Sequence, residues 1–193
     1  MKDSHPLSGL VARILVLHEL LDSMHVRHQF GGAIALAWYR NPRATTDIDV
    51  NITLSPNHSD PILGALRHLG VTVSDADRDA IHEDGQARLE WGDSLLDVFF
   101  ATMALHDEMP GRAREVEFAA TQIPILSPED LIICKAVFDR PKDWVDIEAM
   151  VAWGTDIDER LVEKWITELL GADSPTCTRL TSMLADQRNQ SKL

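Results

Sequence analysis

The run Asp47-Ile48-Asp49-Val50-Asn51-Ile52-Thr53-Leu54 alternates strictly between polar and apolar residues, which is the period of a half-buried β-strand. Ile48, Val50, Ile52 and Leu54 point to one face, and Asp47, Asp49 and Asn51 to the other. Upstream, Leu7, Leu10, Val11, Ile14, Leu17 and Leu21 recur at helical spacing and predict an amphipathic helix over residues 7–24. A polar approach, Arg27-His28-Gln29, then leads into a Gly31-Gly32 turn and a short alanine-rich helix through Trp38. Residues 61–69 read as a helix stopped by Gly70, and residues 71–73 as a short strand. Residues 87–91 and 95–100, joined across Gly92-Asp93, predict a β-hairpin, and a further strand is expected at 115–118 or 122–126. From Ser127 the pattern is helical, with Ser127 as N-cap, Pro128 in the first position and Glu129 and Asp130 in the first turn. Residues 158–170 and 175–187 read as amphipathic helices suited to packing or to a partner.

Strands in the first two thirds and helices in the last third predict a mixed α/β (α+β) fold, a small mixed sheet flanked by helices with a helical C-terminal part. With 193 residues, 45% of them hydrophobic, the chain can bury one substantial core. No stretch reaches the roughly 18 uninterrupted apolar residues of a membrane span, and Met1-Lys2-Asp3-Ser4-His5-Pro6 lacks a signal-peptide pattern, so a cytoplasmic protein with no membrane partner is expected. Cys134 and Cys177 suggest neither a disulfide framework nor a zinc cluster and read as structural thiols. The histidines show no zinc-ligand spacing; His25 and His28 straddle the end of the first helix.

Charge narrows the functions further. A net charge of −13 argues against a general nucleic-acid-coating surface and leaves only local basic clusters: Arg40 with Arg43, Arg112 with Arg114, and Arg140 with Lys142. A Gly-x-Ser-x-Gly elbow, a P-loop and a dinucleotide fingerprint are all missing, so serine hydrolase, P-loop NTPase and Rossmann readings have little support.

What remains is carboxylate chemistry. Alternate residues on a strand lie roughly 6.5–7 Å apart at the backbone, so Asp47 and Asp49 can converge on hard cations about 3.5–4 Å apart, as two-metal phosphoryl chemistry requires. Asp97, in the apolar run Leu95-Leu96-Asp97-Val98-Phe99-Phe100, offers a third acid. Glu90 faces the same hairpin and reads as an exposed strand acid. At Gly31 and Gly32 the backbone can approach phosphate oxygens closely. Gly-Gly, then Asp-x-Asp with apolar flanks, then a third flanked acid resembles the DNA polymerase β-type nucleotidyltransferase superfamily.

Leu131, Lys135 and Phe138 share a helical face, which turns Lys135 toward the apolar side. Either its ammonium meets an anionic partner, because burial unpaired is costly, or its long stem snorkels to water. Asp143 and Asp146 follow at i,i+3 beside Trp144, Ile147 and Val151. Asp143 serves either as a site acid or as the N-cap of that helix. The order Lys135, Arg140, Lys142-Asp143, Asp146-Ile147 resembles the Lys…Arg…(Lys/Arg)-Asp-x-x-Asp element of the AbiEii-type nucleotidyltransferases, which include toxin–antitoxin toxins and their MenT-like relatives. The two resemblances together span about residues 28–151.

The resemblance implies a nucleotidyltransferase with a catalytic core over 1–126 and a helical part over 127–193 that completes the active site. It implies Mg²⁺ or Mn²⁺ on Asp47, Asp49 and Asp97, an NTP met by Gly31, Gly32, Arg43 and Lys135, and orienting roles for Asp143 or Asp146. It further implies a tRNA 3′ end as acceptor and an antitoxin protein as partner. Two alternatives stand beside the tRNA-directed toxin: an aminoglycoside nucleotidyltransferase, whose polycationic substrate suits an acidic chain, and a non-catalytic nucleotide-binding or interaction module that uses the C-terminal helices.

Overall fold

Alternation along Asp47–Ile52 builds strand β2 as predicted: Ile48, Val50 and Ile52 are fully buried, whereas Asp47 and Asp49 keep partial access to water. The computed structural model describes residues 9–190, with side chains to residue 186. Before β2 come helix α1 (Leu10–Ser23), strand β1 (His28–Phe30) and helix α2 (Gly32–Leu36). After it come α3 (Asp60–His68), α4 (Asp75–Asp84), β3 (Gln86–Trp91), β4 (Ser94–Phe100), α5 (Ala104–Glu108), β5 (Arg114–Phe118) and β6 (Thr121–Ile125). Four longer helices follow: α6 (Pro128–Phe138), α7 (Pro141–Ala152), α8 (Glu159–Leu170) and α9 (Pro175–Gln190). No helix among the described residues is long and apolar enough to cross a membrane.

The chain divides into two units. One runs to Ile34 and resumes over Ala44–Ile125; the other takes Ala35–Arg43 and everything from Leu126. The first holds a six-stranded mixed sheet in the order β3-β4-β2-β1-β6-β5. β2 pairs antiparallel with β1, Phe30 opposite Val50, and parallel with β4, Asp49 opposite Asp97. The hairpin partner β3 sets Arg88 opposite Asp97, and at the other edge β5 and β6 form a second hairpin, with β6 parallel to β1. Ile14, Leu17 and Leu21 of α1, Phe30, the apolar residues of β2, Leu96, Val98 and Phe100 of β4, and Ile123 and Ile125 of β6 are buried as this unit's core. His28 Nε2 lies 3.0 Å from His18 Nδ1, with its other ring nitrogen on the Val26 carbonyl, and burial lowers its pKa below the ordinary imidazole value.

In the second unit Leu131, Ile132 and Ile133 of α6, Trp144 and Ile147 of α7, Val162 and Trp165 of α8, and Leu180 of α9 are buried together with Tyr39. Tyr39 ties its segment in twice: its hydroxyl donates to the Leu126 carbonyl at 2.7 Å, and its own carbonyl accepts from the Thr155 hydroxyl at 2.7 Å. The predicted cap of α6 is present, since Ser127 accepts from the Asp130 N–H and donates to its carboxylate. Asp158 caps α8 in the same way, accepting from the N–H groups of Arg160 and Leu161.

Four readings need correction. The first helix begins at Leu10 in the described residues, and Leu7 lies outside them. The helix after the glycines ends at Leu36, not Trp38. Residues 71–73 form no strand; Thr72 makes a single bridge, donating its N–H to the Glu90 carbonyl at 2.8 Å. Helix α4 was unforeseen because it buries only Ile81 and so shows little periodicity. Its termini did carry a signal: Ser74 and Asp77 form a capping box, and Gly85 closes the helix in the left-handed conformation.

Candidate active site

In the first unit the polar face of β2 and the start of α2 meet at one point. The Gly31 N–H donates to the Asp49 carbonyl at 2.9 Å, which continues the β1–β2 pairing to the glycine turn. Gly32 has φ of +51°, and a Cβ there would stand 1.8 Å from Asp49 Oδ2. Glycine is therefore required twice over, by the left-handed backbone and by the carboxylate against it. Gly32→Ala is expected to cost about 1–2 kcal/mol, because the Asp49 carboxylate must shift. Urea midpoints check this, and a wild-type midpoint would refute it.

The three predicted acids are brought together by register. Asp49 is directly opposite Asp97 on the parallel neighbour, about 4.8 Å away at the backbone, and Asp47 is the next residue on the same face of β2. Asp47 Oδ1 accepts from the Thr46 hydroxyl, and Glu90 is exposed, as expected. Asp97 is 9% exposed, and both of its oxygens are engaged: Arg88 Nε donates to Oδ1 at 2.7 Å and Nη2 to Oδ2 at 2.6 Å. The bond to Asp97 raises the Arg88 pKa above its ordinary value against a desolvation penalty, and the charges of Asp47 and Asp49 add to the rise.

Arg88 escaped the sequence reading, although a signal was available. A two-residue turn at Gly92-Asp93, with Gly92 at φ +64°, fixes the hairpin register and so sets residue 88 opposite 97.

Among the described residues no three His, Cys, Asp or Glu side chains stand ready-arranged around a common cation. The donor set nevertheless fits one. Three carboxylates on adjacent positions of one sheet face are hard oxygen ligands of the kind Mg²⁺ and Mn²⁺ take, and the missing Cβ at Gly32 makes room for the Asp49 carboxylate beside the turn. The third acid is presently held by a guanidinium instead.

A second charged cluster lies in the second unit. Lys135 is 6% exposed; its ammonium donates to Asp146 at 2.7 Å and to Asp143 at 3.4 Å. It does not snorkel to water, since two carboxylates of α7 hold it. Asp143 also accepts from Arg140 Nε at 2.6 Å, and Asp146 from Arg43 at 3.3 Å, with Arg40 at 3.8 Å. Burial alone would raise the Asp146 pKa, but the Lys135 bond and charge, with those of Arg43, hold it below the ordinary carboxylate value. Asp143 is not an N-cap: that position is Arg140, and Asp143 sits buried in the first turn. Two of the predicted basic clusters, Arg40 with Arg43 and Arg140 with Lys142, thus send three arginines onto buried carboxylates. In the first unit Arg112 pairs with Glu108 at 3.1 Å.

The fold that gathers these carboxylates beside a glycine turn is shared with solved structures. The solution structure of the antibiotic-resistance factor ANT(2'')-Ia superposes with a TM-score of 0.58 at 20% identity, over 93% of this chain and 97% of that one. A lincomycin-bound lincosamide antibiotic adenylyltransferase, LnuA, gives 0.52 at 16% identity, over 75% of this chain and 98% of that one. An antigenic nucleotidyltransferase-like protein from Paracoccidioides brasiliensis gives 0.52 at 15% identity, over 92% of each chain. At these identities the likeness is one of fold, a nucleotidyltransferase fold. Within that class the chain belongs to the AbiEii family: the profile described as "Nucleotidyl transferase AbiEii toxin, Type IV TA system" matches residues 17–188. No curated protein sequence gives a significant match.

Proposed function

We propose that the chain transfers a nucleoside monophosphate from an NTP to a hydroxyl on tRNA and acts as the toxin of a toxin–antitoxin pair. The observation that carries the transfer is the register that sets Asp49 between Gly32 and Asp97, with Asp47 on the same face. Asp47, Asp49 and Asp97 would hold Mg²⁺ or Mn²⁺, which when bound neutralises the triphosphate and the charge developing during in-line displacement. The acceptor oxygen bonds to the α-phosphorus as the bond to pyrophosphate breaks, and Asp97 takes the hydroxyl proton. Gly31 has already committed its amide to the Asp49 carbonyl, and Gly32, lacking a Cβ, lets the Asp49 carboxylate lie directly against the turn that this reading assigns to the phosphates.

In the second unit Lys135 and Arg43 are the cations this reading assigns to the triphosphate, with Asp143 and Asp146 orienting them through the bonds described. The family description supports a toxin and, as its partner, an antitoxin protein. A cytoplasmic setting fits both an NTP and a tRNA substrate.

A second reading, transfer to an aminoglycoside, is favoured by the charge of −13, which attracts a polycation and repels tRNA, and by the fold shared with ANT(2'')-Ia. A non-catalytic module is disfavoured because all three acids are present and in register. Incubation with labelled NTPs, Mg²⁺ and either total tRNA or aminoglycosides separates these readings. Labelled RNA, together with growth arrest on expression, is the expected result. Labelled drug with protected cells would establish the second reading, and nucleotide binding without any labelled acceptor would leave only a binding module.

A further inference from the structure

Asp97 does not stand open to a cation. Arg88, its register partner across the β3–β4 hairpin, engages both carboxylate oxygens through two parallel N–H donors, at 2.7 and 2.6 Å. This is the bidentate fork in which Arg–carboxylate pairs are strongest and most directional. Exposure is unequal, however: the Arg88 side chain is 52% exposed and that of Asp97 12%. The guanidinium can therefore swing into water, whereas the carboxylate is fixed in the sheet. Asp49 is the partner of Asp97 on the other side, so the guanidinium stands on the same sheet face as all three acids. A divalent cation drawn to those acids competes with Arg88 for the oxygens of Asp97.

We propose that Arg88 is a positioning residue that acts as a built-in counter-cation, holding Asp97 until a divalent cation displaces it and thereby setting the affinity of the site for that cation. The inference rests on the reading of Asp47, Asp49 and Asp97 as the cation site. While Arg88 is in place, the close approach of three carboxylates is offset without a metal. Loading then requires the fork to open, so the third acid joins the site only when the cation is present.

The test is Mn²⁺ binding to the full chain without nucleotide, followed by the electron paramagnetic resonance of free Mn²⁺, with circular dichroism confirming that each variant is folded. Arg88→Gln is expected to bind Mn²⁺ about three- to fivefold more tightly, the size set by a partly exposed ion pair. Arg88→Lys, which keeps the charge but loses the fork, is expected to show part of that gain. In an Asp97→Asn background Arg88→Gln is expected to lose most of its effect. Unchanged affinity in Arg88→Gln overturns the proposal, as does equal tightening in the Asp97→Asn background, because that result would make Arg88 only a diffuse repulsive charge. If wild-type protein binds no Mn²⁺, or Asp49→Asn does not weaken binding, the cation-site reading itself falls, and the proposal with it.

Discussion

Asp49→Ala is expected to abolish nucleotide transfer, by about a thousandfold or more, while the chain stays folded. The size follows from the several kcal/mol of charge stabilisation that a lost cation would have supplied, each 1.36 kcal/mol being tenfold in rate. Asp49 touches the glycine turn through its carbonyl and carboxylate and faces Asp97 across the parallel pair. Stability should change little, because Asp49 is only partly buried and removing one of three neighbouring carboxylates relieves repulsion. Product labelling at saturating Mg²⁺ and a thermal midpoint measure the two effects separately. Unchanged turnover would sink the proposed site.

Lys135→Ala should act on stability as well as on nucleotide binding. It removes the ammonium from between two carboxylates that are almost wholly buried, and breaking such a pair costs about 3–5 kcal/mol. A loss of about 3 kcal/mol is expected here, since Arg40, Arg43 and Arg140 still face those acids. The pH dependence gives a sharper test. In the wild type the Asp146 pKa is depressed below 3.8, so its stabilisation is full above that value and is lost as the pH falls through the lower, folded value. Without Lys135, burial pushes the folded pKa upward, so the variant regains stability as the pH falls from 7 toward 4. The gap between wild-type and variant urea midpoints should therefore narrow at pH 4. A gap of constant width would show that Lys135 does not control Asp146. Weaker NTP binding in a variant that is still folded would tie the same residue to the triphosphate.

Much of this protein could be read along the chain because the deciding physics was local. Alternation over residues 47–54 placed the aspartates on one strand face, the Gly92-Asp93 turn announced its hairpin, and Ser127 with Pro128 marked the start of α6. Periodicity failed where burial was slight, as in α4, and where a lone bridge took the place of a strand, as at Thr72.

Sequence by itself determined the polar face of β2, the glycine turn, the third acid and the inward-facing lysine, since each depends on side-chain period or on backbone freedom within a few residues. Only the tertiary structure decided who meets whom. Parallel pairing of β2 with β4 set Asp49 opposite Asp97; the hairpin brought Arg88 onto that acid; and the fold of the second unit gave Lys135 two carboxylates from α7 and drew Arg43 to Asp146. Strand register and helix packing join residues far apart in the chain, and a periodic pattern, which reports which face a residue occupies, contains no information about the partner across it.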